Sequence, residues 1–143
     1  MIPGLFMHIT INDHTPLSEI QKVFSDFYPY LKIEFYSKRH KKYESSDEAN
    51  LIDPHIRVGD IKARHEDGIL EILPLSLVAD VEREFQARFG LSVQICRKEK
   101  LGWEQSTGMD DFTLKELNEF GRESSDEFIL SDPEEDAESS EED

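Results

Sequence analysis

The chain has 143 residues, 37% of them apolar, with 32 acidic and 16 basic side chains and a formal net charge of −16. That length supports one core-sized domain. The negative field repels phosphate backbones and anionic membrane surfaces, which excludes nucleic acid and membrane as default partners. The charge is uneven: residues 123–143 hold 11 acidic side chains and no Lys or Arg, leaving 21 acidic and 16 basic, or −5, on residues 1–122. A single cysteine allows no internal disulfide, which fits a reducing compartment. The opening M-I-P-G-L-F-M-H-I-T has neither the cationic start nor the unbroken apolar run of a signal peptide. No apolar run approaches membrane-spanning length, so a cytoplasmic protein is expected.

Residues 5–11 alternate as L-F-M-H-I-T-I, the period of a half-buried strand. Thr15 is expected to cap a helix with Pro16 at its first position. Leu17, Ile20, Phe24, Phe27 and Tyr28 then follow at helical spacing, and Pro29 stops them. Leu31, Ile33 and Phe35 mark the inward side of a second strand. Residues 37–52 are charged and aperiodic and read as a mobile loop inserted between two repeats. Asp53-Pro54 opens a short helix carrying Val58, Ile61 and His65 on one side, closed by Asp67-Gly68.

The pattern then repeats. Ile69–Leu73 reads as a strand, with Leu70 and Ile72 inward. Ser76 takes the capping place of Thr15, and Val78, Val81, Phe85 and Phe89 match Leu17, Ile20, Phe24 and Tyr28. Gly90 stops the helix in a left-handed conformation, and Leu91, Val93 and Ile95 match the earlier strand. Trp103 to Thr107 fits a hairpin strand. Thr113-Leu114-Lys115-Glu116 is a capping box, opening a helix with Leu114, Leu117 and Phe120 on one side and Gly121 as its stop. Residues 123–143 are expected to form a disordered acidic tail. The expected fold is α+β over residues 1–122. Duplicated β-α-β units would give a ferredoxin-like β-α-β–β-α-β sheet of four strands with both helices on one face, plus the hairpin strand and short helix.

The run G-L-S-V-Q-I-C-R-K followed by W-E-Q-S-T-G-M-D-D-F-T-L-K-E-L-N-E-F-G, with F-Y-P-Y-L-K-I-E-F-Y and R-V-G-D-I-K before it, resembles a family of small uncharacterised bacterial proteins. The likeness covers about residues 5–122. The family pattern has an aromatic–Arg–Lys–Ser–Gly turn before the tryptophan, where this chain has Cys96-Arg97-Lys98-Glu99-Lys100. The resemblance implies the same fold and a cytoplasmic setting. It brings no activity and no functional residue.

The five histidines, His8, His14, His40, His55 and His65, have no metal-ligand spacing, so neither metal nor cofactor is expected. Cys96 falls on the open sheet face, where an inert thiol is expected rather than a nucleophile. No phosphate loop, nucleophile elbow or paired cysteines occur. Asp110-Asp111 favours the helix N-terminus that follows. The remaining candidates are interaction residues: the basic cluster Lys38, Arg39, Lys41 and Lys42, Tyr36 and Trp103, and Phe128, Ile129 and Leu130 in the acidic tail. These favour a non-catalytic protein-interaction module with an unidentified protein partner. One alternative is a ligand-binding or enzymatic site on the open face near His8, Glu34, Tyr36 and Cys96. Another is nucleic-acid binding through residues 38–42, although the aromatic platform of an RNA-binding sheet is absent.

Overall fold

The structure is a computed structural model that describes residues 7–40, 44–61 and 67–130, with side chains described as far as Ser125. In order it contains β1 (Met7–Ile11), α1 (Leu17–Phe27), β2 (Leu31–Tyr36), α2 (Val58–Ile61), β3 (Gly68–Ile72), α3 (Val78–Phe89), β4 (Ser92–Glu99), β5 (Gly102–Gln105) and α4 (Leu114–Leu130). A single 3-10 turn, Glu48–Asn50, precedes α2. Most of the apolar residues expected from period two and period 3.6 form the core, but Phe27 is only partly buried, Phe120 is exposed, and Leu5 lies outside the described residues. Ile9, Ile11, Leu17, Ile20, Phe24, Leu31, Ile33, Val78, Phe85, Phe89 and Ile95 are all buried. Gly90 ends α3 at φ 66°, a conformation that a glycine takes without steric cost.

The fold class is α+β, with two small antiparallel sheets rather than the single four-stranded sheet expected from the repeat. β1 pairs with β3, and β2 pairs with β4, which pairs with β5. The reason lies in the edges through which β2 and β4 would join the other pair. Chain returning from the 37–52 segment occupies the free edge of β2: Ile52 N–H donates to Phe35 O at 2.8 Å and Ser37 N–H to Asn50 O at 2.8 Å. The other edge of β4 is taken by β5 and by Ser106 N–H, which donates to Ile95 O at 3.0 Å.

Each pairing brings together residues that the sequence pattern is expected to align. Ile9 faces Leu70, and Glu34 faces Gln94. A like set of backbone bonds holds the start of each of the helices α1 and α3. Leu17 and Ser18 N–H donate to Ile56 O and Pro54 O, while Val58 and Gly59 N–H donate to Thr15 O and Asp13 O. In the second half Val78 and Ala79 N–H donate to Phe112 O and Asp110 O, while Leu114 and Lys115 N–H donate to Ser76 O and Pro74 O.

These bonds satisfy the exposed amides of the first helical turns from another backbone segment. Thr15 and Ser76 are therefore not the helix caps expected. Pro16 and Leu77 hold the cap positions without side-chain bonds. The hydroxyls of Thr15 and Ser76 instead accept from Asn12 N–H at 3.0 Å and Leu73 N–H at 3.3 Å, closing the preceding turns. The Thr113–Glu116 capping box forms as expected, with both reciprocal bonds in place.

Two other expectations change. Gly121 does not stop α4, which continues to Leu130 and so takes in the first eight residues of the stretch expected to be disordered. Gly121 serves close packing: a Cβ there would lie 2.9 Å from Tyr30 O and 3.3 Å from Lys98 N. The described parts of residues 37–52 also do not stand free of the body, because Ser46 is buried and Ser45 bonds Thr107 at 3.0 Å. His65 lies outside the described residues, so α2 is seen as the turn carrying Val58 and Ile61.

Candidate functional site

The outer face of β2–β4–β5 brings together Glu34, Tyr36 and Cys96, as expected, but closes over them. Tyr36 hydroxyl donates to Glu34 Oε1 at 3.3 Å, and Cys96 Sγ lies 3.6 Å from the same oxygen. Gln105 Nε2 donates to Tyr36 hydroxyl and to Ser46 O, while Ser46 Oγ donates to Gln94 Oε1 at 3.0 Å. Ser46 thus roofs the cluster, and Tyr36 is only 2% exposed, which removes it as a surface platform. Burial, followed by the nearby Glu34 carboxylate, holds both the Cys96 thiol and the Tyr36 phenol well above their ordinary pKa values. Cys96 therefore stays a thiol, a poor nucleophile. His8 is not part of this face: it lies on β1, exposed, 3.0 Å from Glu71.

A second polar cluster sits beside the first half of β4, beyond the reach of β5. Ile95 N–H donates to Glu82 Oε2 at 3.3 Å. His40 Nε2 lies 3.3 Å from Val93 O and 3.4 Å from Glu82 Oε1, with both side chains about a tenth exposed. These groups cap the backbone of a strand edge, which is costly to leave unpaired. Arg39, Ala79, Arg83, Gln86, Ser92 and Asp110 complete the lining of a cavity of about 140 Å³.

Burial raises the Glu82 carboxyl above its ordinary value of 4.5, with His40 and Ile95 N–H opposing and Asp110 adding to the rise. A carboxyl raised on folding favours the native state while protonated. Its contribution is complete below the unfolded pKa and is lost as pH rises through the folded one. Glu82→Gln is therefore expected to raise stability relative to the natural chain at pH 7, with the difference vanishing below pH ~4.5. Urea midpoints measured across that range check this, and a difference that grows toward acid pH would count against it.

Among the sequence candidates, Lys38 and Arg39 are exposed, while Lys41 and Lys42 lie outside the described residues. Phe128, Ile129 and Leu130 form the end of α4, and their side chains lie outside the described residues. Trp103 is 38% exposed, with Lys32 Nζ and Lys98 Nζ 5.3 and 5.2 Å from its ring centre.

One surface escaped the sequence reading. A groove of about 550 Å³ runs between the turn after β3 and α4, lined by Leu75, Phe120, Lys115, Glu116, Glu119 and Glu123. Leu75 is 74% exposed and Phe120 37%. Phe120 is fixed by Phe112, edge-on at 6.3 Å, and by the Arg97 guanidinium 4.9 Å from its ring centre. The groove between the turn after β1 and α2 is polar, with His14 where the other has Leu75, Gly59 where it has Lys115 and Asp60 where it has Glu116. Leu75 was not singled out because one apolar residue in a turn has no period. Only its position against α4 gives it meaning.

Among the described residues no group of three His, Cys, Asp or Glu side chains is placed to hold a metal ion. None of their helices is long and apolar enough to cross a membrane. No family model matches the chain, and no curated protein or solved structure is found to match it.

Proposed function

We propose that the chain is a non-catalytic protein-interaction module built from a duplicated unit, and that it docks an apolar, basic segment of a partner in the Leu75–Phe120 groove. The observation that carries this reading is the contrast between the two equivalent grooves. Where the first unit has His14, the second exposes Leu75, so the architecture itself does not require an apolar residue there. Covering Leu75, 74% exposed, contributes up to roughly 1.5–3 kcal/mol, and covering the remaining third of Phe120 contributes about a third of that. On the rim Glu116, Glu119 and Glu123 outnumber Lys115, and even with Arg122 pairing Glu119 this favours a basic partner. The single cysteine, held as a buried thiol, supports a reducing setting such as the cytoplasm.

The test uses a fluorescent amphipathic peptide of alternating leucine and lysine turns, with a glutamate-for-lysine version as its counterpart. Anisotropy is expected to show binding of the basic peptide only. Leu75→Asp and Phe120→Asp should each weaken it at least about tenfold, a loss of ~1.4 kcal/mol. His14→Asp in the first-unit groove should leave it unchanged. Equal binding by all variants would sink the proposal.

A further inference from the structure

The outer face of β2–β4–β5 has two halves. One is roofed by Ser46, whereas the other, at the hairpin end, is open and carries Trp103. Lys98 faces Trp103 directly across β4–β5, and Lys32 reaches the same ring from β2. Lys32 is paired with Glu34 at 3.2 Å, whereas the Lys98 ammonium is directed at the Trp103 ring, 5.2 Å from its centre. Lys100 is exposed in the hairpin turn. The counterions expected near this end, Glu99 and Glu104, are instead engaged by Arg97. An aromatic ring flanked by ammonium groups is therefore displayed on a chain whose net charge is strongly negative.

We infer that this Trp103–lysine platform is a docking site for the chain's own acidic segment, residues 131–143. That segment, S-D-P-E-E-D-A-E-S-S-E-E-D, carries eight carboxylates and no cation. Three considerations select it. The first is complementarity with Lys32, Lys98 and Lys100. The second is reach. Gly121 rests against the backbone of Lys98, so α4 passes beside the strand that bears the platform. Its last nine residues rise about 13.5 Å, and 13 residues can then extend up to ~43 Å, enough to return. The third is competition. An acidic partner arriving from solution meets the repulsion of a chain at −16, whereas a tethered segment is present at an effective concentration in the millimolar range. The Leu75–Phe120 groove is closed to the same segment by its glutamate rim, so the two surfaces select opposite charge.

Trp103 is the chain's single tryptophan, so its fluorescence reads the platform without a label. In the full chain at low salt, acrylamide quenching of Trp103 should be weak and should rise about twofold in 0.5 M NaCl, where the Debye length shrinks to a few ångströms. A full-length variant with the eight carboxylates of residues 131–143 changed to Asn and Gln should quench strongly at every salt concentration. The pair Lys32→Gln and Lys98→Gln should abolish the salt response. Changing Lys38, Arg39, Lys41 and Lys42 to Gln should keep it.

Equal quenching in the natural chain and the neutralised-tail variant overturns the inference. So does a salt response that survives loss of Lys32 and Lys98 but not loss of the 38–42 cluster. A second measurement covers any variant that misfolds. With Cys96→Ser and a nitroxide on Glu138→Cys, the Trp103 indole N–H resonance should broaden at low salt and recover at high salt. Absence of broadening at low salt again overturns the inference.

Discussion

Phe85→Ala is expected to lower the unfolding free energy by about 3–5 kcal/mol, among the largest losses open to a single substitution in this chain. Phe85 is fully buried and stands at the joint between α3 and the β2–β4 pair. Its ring meets Phe35 of β2 edge-on at 6.2 Å and Phe89 of its own helix at 6.4 Å. Such pairs contribute roughly 0.5–1.5 kcal/mol beyond the area they bury. Removing the ring leaves a cavity between two rigid elements, so little relaxation is available to recover the loss. Phe24 is the internal comparison. It holds the matching position on α1, is also fully buried, and packs against Tyr28 at 5.5 Å. Phe24→Ala should cost about the same, within ~1 kcal/mol. Urea unfolding checks both, and a midpoint shift at unchanged slope identifies the effect as native-state stability. A loss below ~1 kcal/mol at either site would count against two equivalent helix–sheet joints.

The like burial of α1 and α3 was legible in side chains. Leu17, Ile20 and Phe24 against Val78, Val81 and Phe85 is a pattern of burial, and burial is what hydrophobic periodicity records. Gly90 was legible for a related reason: few other residues end a helix at positive φ so readily. The pairing of the strands was not legible. Whether β2 lies beside β3 or beside the 50–52 segment is decided by backbone bonds such as Ile52 N–H to Phe35 O, which any residue type can make. The same holds for the helix starts, where Ile56 and Phe112 carbonyls do the work expected of Thr15 and Ser76. Tyr36 misled for a third reason: alternation identifies the outer face of a strand but not what covers it, and Ser46 comes from a segment without period. The candidate groove needs all of these facts at once. Leu75 and Phe120 are 45 positions apart, and only the Leu114–Ser76 and Lys115–Pro74 bonds bring their segments side by side.

Gly121 tests that placement of α4 most directly. In sequence it looked like a stop signal, but it lies inside the helix at its closest approach to the body. Three interactions converge there. Tyr30 N–H donates to Asn118 Oδ1 at 2.9 Å, Lys98 N–H donates to Tyr30 O at 2.9 Å, and a Cβ on Gly121 would meet that oxygen at 2.9 Å and Tyr30 Cβ at 3.0 Å. The Tyr30 carbonyl, held in the turn before β2 by Lys98 N–H of β4, cannot swing aside as a flexible side chain does. Adding a side chain therefore pushes α4 outward, or strains the bond that ties β4 to Tyr30. Gly121→Ala gains about 1 kcal/mol of helix propensity, against an overpacking cost of roughly 1–3 kcal/mol. Its net effect should be a small loss. Gly121→Val adds two further carbons and a branched Cβ, and is expected to cost about 3 kcal/mol overall. The exposed neighbour Glu123→Ala should change stability by no more than ~0.5 kcal/mol, separating a packing effect from a general sensitivity of the helix. Because α4 also carries Phe120, Gly121→Val should weaken basic-peptide binding in the groove, although residue 121 does not itself line it. A chain carrying Gly121→Val that unfolds at the natural urea midpoint would refute the close approach of α4 to β2 and β4.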